Sequence, residues 1–201
     1  MSELFTFVQL GYRHITDPNG ADHILFLLAL AAVHRARDWR NVLWVVTAFT
    51  VGHSLTLGLA VTGLLRLPTP LIEFLIPVTI VLTGLENIVV RDRQAAPLSR
   101  RYRPVFAGVF GLVHGVGFAN YLQSLFVDHM ALPLFGFNVG IELGQLVVLA
   151  LAFTAFAATD RVVSALRPDR WQVSPLRLRT MAVSSLVAVV AARWAVERTP
   201  W

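Results

Sequence analysis

The chain is built of long apolar runs separated by short polar stretches that carry its arginines. Six runs approach or exceed the roughly 20 residues that a helix needs to cross a bilayer. They are 20–34, 41–65, 70–90, 104–127, 132–158 and 176–196, the first of them short. Ahead of them, residues 3–13 set Leu4, Phe5, Phe7, Val8 and Leu10 among polar positions. This amphipathic pattern predicts a segment that lies at the interface or re-enters the membrane. The DPNG stretch at 17–20 predicts a turn followed by a helix start. The pattern predicts an all-α membrane protein: a six-helix transmembrane bundle with a short N-terminal amphipathic or re-entrant segment, in one domain over 1–201.

Composition supports this reading. Of 201 residues, 56% are hydrophobic and 14% charged, against roughly 25% charged in soluble domains; mean hydropathy is +0.64. There is too little polar surface to coat a soluble core. Cysteine is absent, which excludes disulfides and thiolate metal sites. Residues 1–14 show neither a basic leader nor a small-x-small cleavage site, so no signal peptide is expected.

The net charge of +5 comes from 17 arginines and no lysine. In a membrane protein such charge reports topology rather than nucleic-acid binding. Thirteen arginines follow spans one, three and five: Arg35, Arg37, Arg40; Arg91, Arg93, Arg100, Arg101, Arg103; and Arg161, Arg167, Arg170, Arg177, Arg179. The positive-inside rule then places these loops in the cytoplasm and both termini outside.

Three histidines interrupt the apolar runs: His23 in GADHILFLLAL, His53 in FTVGHSLTLGLAV and His114 in FGLVHGVGFA. A polar ring in hydrocarbon is unfavourable unless hydrogen-bonded or ligated. Asp22 adjoins His23, so on a helix the two point about 100° apart; one can ligate while the other orients. His14, Asp17 and Asn19 precede them on an expected loop. Each group also has a plainer role. Asp22 can cap a helix, His53 can hydrogen-bond between helices, and Ser54 and Thr56 can bond back to carbonyls. Around His114, Gly111 and Gly115 form a GxxxG pair that permits close helix approach.

Span five carries two stripes. Gly136, Gly140 and Gly144 form a close-packing face, and Asn138, Glu142 and Gln145 form a polar one. The polar stripe is either part of a metal site or an interhelical hydrogen-bond seam. The glycine faces serve contacts within the chain or a homo-oligomer. Glu86 and Asn87 mark the inner end of span three, where Glu86 is expected to pair with Arg91 or Arg93. His34 and His129 are expected in solvated loops. Imidazole and carboxylate together suit Ni²⁺, Zn²⁺ or Co²⁺.

The stretches GADHILFLLAL, TAFTVGHSLTL, FGLVHGVGFA and FNVGIELGQ, in that order and with Glu86–Asn87, resemble the HupE/UreJ family of small membrane proteins, in its second, broader branch. The resemblance runs from about residue 11 to 146; His14 to Asp22 is longer than the family's first motif, through TDPN. It implies a nickel or cobalt permease in the bacterial inner membrane, and carries the metal role onto His14, Asp22, His23, His53, His114 and Glu142.

Two mechanisms fit such a cluster. In a permease, a divalent ion passes from His14, Asp22 and His23 to His53, His114 and Glu142 through weak sequential sites. In an intramembrane zinc-dependent hydrolase, three histidines hold one ion with an open position for water, and Asp22, Ser54 and Glu142 are the candidate catalytic groups on a lipid or peptide near the outer leaflet. A third reading is a polar-seamed scaffold with no ion. No nucleotide-binding motif is present, so direct ATP coupling within the chain is not expected. The expected partners are the metal ion and the bilayer, with no nucleic acid.

Overall fold

The computed structural model describes residues 3–90, 99–123, 131–166 and 173–200. Among them lie seven α-helices and no strand: α1 (Glu3–Thr16), α2 (Asp22–Ala32), α3 (Trp39–Val61), α4 (Thr69–Val89), α5 (Ser99–Gln123), α6 (Ala131–Leu166) and α7 (Pro175–Glu197). Four of them, α3, α4, α6 and α7, are long and apolar enough to cross a membrane. At most half of the most apolar stretch of each is buried. The rest, including Trp44, Val89, Leu151 and Val189, faces outward as apolar surface.

The six-helix expectation is corrected to seven. The amphipathic segment is a helix of its own, α1, packed lengthwise on α6. The run drawn at 20–34 shrinks to the 11 residues of α2, because the DPNG turn consumes its start. Asp17 Oδ1 accepts from the Asn19 backbone N–H at 2.9 Å and from its side chain at 3.1 Å, and Pro18 has no N–H to continue a helix. The run at 104–127 is replaced by α5, which starts earlier and takes in Arg100, Arg101 and Arg103. The run at 132–158 lengthens into the 36 residues of α6, about 54 Å at 1.5 Å per residue. Arg91, Arg93, Arg167, Arg170 and His129 lie outside the described residues.

Glycine contacts fix helix direction. A Cβ on Gly140 would strike the Val8 carbonyl, one on Gly11 the Phe137 carbonyl, and Gly136 rests on Leu4. Positions rise together, so α1 and α6 run parallel with backbones touching. The glycine stripe of span five is thus used within the chain. Gly111 and Gly115 abut the carbonyls of Phe49 and His53, and Gly52 abuts that of Gly108; α3 and α5 are also parallel. By contrast Gly84 meets Ser184 and Ala188 while Arg177 reaches Ile88, so α4 and α7 are antiparallel. α3 ends at Gly63, whose φ of 75° is the left-handed conformation favoured by glycine beyond a helix C-terminus.

Two arginines at the start of α7 cap its neighbours. Arg177 donates to the carbonyls of Asn87 (3.3 Å) and Ile88 (2.6 Å), in the last turn of α4. Arg179, buried, donates to Ala32 O at 3.2 Å and His34 O at 2.7 Å, at the end of α2. It also binds Asp160 of α6 and stacks on Phe156. Cations belong at helix C-termini, where carbonyls lack donors. Asn87 completes the junction, donating to Ala29 O at 2.7 Å and Ser184 Oγ at 3.1 Å. α2 therefore runs antiparallel to α7, with Asp22 beside Arg198 at its other end.

Candidate metal centre

The interruption between α1 and α2 builds the site. His14 stands in the last turn of α1, not on a loop, and His23 in the first turn of α2. The break through residues 17–21 brings the two rings to a centroid distance of 4.6 Å. His53, in the middle of α3, lies 5.9 Å from His14 and 6.0 Å from His23 by centroid. One ring nitrogen from each of the three can be chosen so that all lie within 4.8 Å of one another. Around a tetrahedral ion with bonds of about 2.1 Å, ligand nitrogens stand roughly 3.4 Å apart. The 4.8 Å limit leaves the triad within reach of that spacing by side-chain adjustment.

The surroundings are aromatic. His14 packs on Phe118 at 4.0 Å, Phe118 stacks on Phe137 at 5.1 Å, and Phe49 lies 5.9 Å from His23. His53 is 0% exposed. Within this wall His14 Nε2, His23 Nε2, both nitrogens of His53 and His114 Nδ1 are buried without a hydrogen-bond partner. Each such atom costs about 1–3 kcal/mol. Five of them approach the net stability of a whole domain, about 5–15 kcal/mol. One nitrogen of the neutral His53 ring carries its hydrogen, so four of the five can present lone pairs, and lone pairs gathered at that cost fit a cation.

The other expected site residues fall elsewhere. His114, on α5, adjoins the triad with its ring 5.1 Å from that of His23, and its Nε2 is 3.2 Å from Thr79 Oγ1 on α4. Asp22 turns away from His23, as the 100° between helix neighbours requires. Its two carboxylate oxygens lie 3.3 Å from Arg198 Nη1. It does not cap α2, whose N-cap is Ala21. Glu142 accepts from Thr47 Oγ1 at 3.4 Å, and Gln145 Oε1 from Thr50 Oγ1 at 3.0 Å, so these two form a seam with α3. Asn138, the third of the stripe, keeps a buried, unpartnered Oδ1. Ser54 donates to the Thr50 carbonyl at 2.6 Å. Glu86 pairs with Arg103 at 3.1 Å and accepts from Tyr102 at 2.7 Å. His34 is half-buried, its Nδ1 2.9 Å from Leu30 O.

Sequence reasoning missed Thr79, Arg198 and the aromatic wall. Thr79 had a faint signal, a hydroxyl inside the apolar run 74–82. Arg198 had none, since its partner lies 176 positions away.

A family model described as HupE / UreJ protein matches residues 1–198. The chain belongs to the HupE/UreJ family. Nothing among curated proteins and nothing among solved structures matches it. The match extends beyond the motifs at 11–146 to include α1 and α7, the helices that supply His14 and Arg198. Membership and the four long apolar helices together make this HupE/UreJ chain a membrane protein.

Proposed function

We propose that the chain is a transition-metal permease that carries a divalent ion, Ni²⁺ first among them, through a site formed by His14, His23 and His53. One observation carries the reading: three buried imidazoles from three helices converge with their ligating nitrogens unpartnered. The HupE/UreJ membership supports transport as the use of that site.

In this reading α1, the 17–21 turn and α2 make one broken crossing, and α3 to α7 make five more. Both termini are outside and the arginine-rich end is cytoplasmic. Broken helices at a midplane site are a recurrent transporter device. Asp22, held by Arg198, flanks His23 on the outer side without joining the triad. His114 receives the ion next. Inward passage requires the Glu86–Arg103 pair to part.

The described geometry favours transport over the hydrolase reading. A catalytic zinc needs a carboxylate or similar group placed on its water. Among the described residues Asp22 is engaged by Arg198, Glu142 by Thr47, and Ser54 by its own helix. Purified protein in liposomes, with radioactive Ni²⁺ outside, tests the proposal. Time-dependent accumulation that His53→Ala abolishes supports it. Accumulation equal to that of empty liposomes, or unchanged in His53→Ala, overturns it.

A further inference from the structure

We propose that Thr79 is a positioning residue that holds His114 in its Nε2–H tautomer and so makes Nδ1 the metal-binding atom of that ring. This rests on the metal reading above and goes beyond it, to a residue and an atom that the triad does not include.

The argument counts hydrogens. Thr79 Oγ1 has two neighbours: Ile76 O at 2.7 Å and His114 Nε2 at 3.2 Å. A hydroxyl has one hydrogen to give. Hydroxyl bonds to oxygen centre on about 2.7–2.8 Å, so the hydrogen lies on the shorter contact, towards the Ile76 carbonyl. At the longer contact the hydroxyl oxygen accepts, and His114 Nε2–H donates. A neutral imidazole carries a single N–H. His114 Nδ1 is therefore the bare lone pair, and Nδ1 is the atom buried without a partner.

That lone pair belongs to a ring flanked by Phe49 at 5.3 Å, Phe26 at 6.2 Å and His23 at 5.1 Å. The two phenylalanines offer it nothing, and His23 belongs to the triad. Metal-binding histidines as a rule donate their second N–H to an oxygen acceptor, which fixes both tautomer and ring orientation. Thr79 supplies that acceptor from a neighbouring helix. Being uncharged, it raises the basicity of the ring less than a carboxylate would, which suits a ligand that must release its ion. The triad differs here, because His14 and His23 leave Nε2 unpartnered.

The experiment uses full-length protein labelled with ¹⁵N-histidine, as wild type, Thr79→Val and Thr79→Ser. Long-range ¹H–¹⁵N spectra report the tautomer of each ring, with His114→Gln identifying the His114 signals. Co²⁺ titration followed by visible absorption reports binding, and circular dichroism checks the fold. The expected result is an Nε2–H His114 in wild type and in Thr79→Ser. In Thr79→Val the expectation is loss of that tautomer and Co²⁺ affinity weaker by roughly 10–100-fold, the usual effect of removing an outer hydrogen-bond partner. An Nδ1–H His114 in wild type overturns the proposal, as does a folded Thr79→Val protein with unchanged tautomer and Co²⁺ affinity. Wild type that binds no Co²⁺ overturns the metal reading instead, while the tautomer signals still judge Thr79.

Discussion

The rings of His14 and His23 meet at a centroid distance of 4.6 Å because the chain turns between them. On one unbroken helix, residues nine apart would be separated by about 13.5 Å along the axis. Replacing Pro18, Asn19 and Gly20 together by alanine favours joining α1 to α2. Metal affinity is then expected to fall at least about tenfold, the low end for loss of a ligand's support, while helix content by circular dichroism is kept or rises. Undiminished affinity would separate the turn from the site.

The α3–α5 contact tolerates no side chain at Gly52, Gly111 or Gly115. A Cβ at Gly111 would strike the Phe49 carbonyl and crowd the His53 backbone N–H. Gly111→Ala is expected to lower stability by about 1–3 kcal/mol, the usual cost of overpacking, and to weaken metal binding by moving His53. Gly20→Ala is the control, since nothing lies within 4 Å of its Cβ position. Thermal unfolding in detergent should separate the two clearly.

Arg179 holds the ends of two helices at once. Arg179→Met keeps much of its bulk but leaves Asp160 without its partner and the Ala32 and His34 carbonyls without Arg179's bonds. Removing one member of a buried ion pair costs about 3–5 kcal/mol. A loss of that size is expected in denaturant unfolding. Arg193→Met is the comparison, because Arg193 and Glu197 are exposed and such pairs contribute about 0–1 kcal/mol.

Asp22 and Arg198 form a half-buried pair that adjoins the triad without joining it. Asp22→Asn is therefore expected to slow metal uptake into liposomes more than it weakens equilibrium binding, with affinity changing less than about tenfold, whereas loss of a first ligand exceeds that. Equal losses in both measurements would make Asp22 a direct ligand.

Much of this was legible in the chain. The apolar runs located α3, α4 and α7 to within a few residues, and the polar interruptions at His23 and His53 pointed at the site. The 100° argument anticipated that Asp22 and His23 could not both face one ion. What stayed hidden depends on distant parts of the chain. Nothing local says that α1 lies along α6, which is what turns an amphipathic segment into the helix that supplies His14. Arg177 and Arg179 read as loop charge, because a helix-capping role depends on carbonyls near residues 32 and 88. Glu86 pairs with Arg103, and Arg91 and Arg93, its expected partners, lie outside the described residues. The sequence left the polar stripe of α6 open to a site or a seam, with the site favoured. Thr47 and Thr50 of α3 hydrogen-bond to Glu142 and Gln145, partners that no local pattern names.

The central claim is that His14, His23 and His53 hold one ion together. Nickel K-edge X-ray absorption on the purified, Ni²⁺-loaded protein tests it most directly, with equilibrium dialysis giving the stoichiometry. The account predicts one ion per chain and scattering from at least three imidazoles at about 2.0–2.1 Å, as for imidazole on a borderline divalent ion. The imidazole signal should fall by one ring in each of His14→Ala, His23→Ala and His53→Ala. A nickel shell of oxygen ligands alone, unchanged in the three variants, would contradict it.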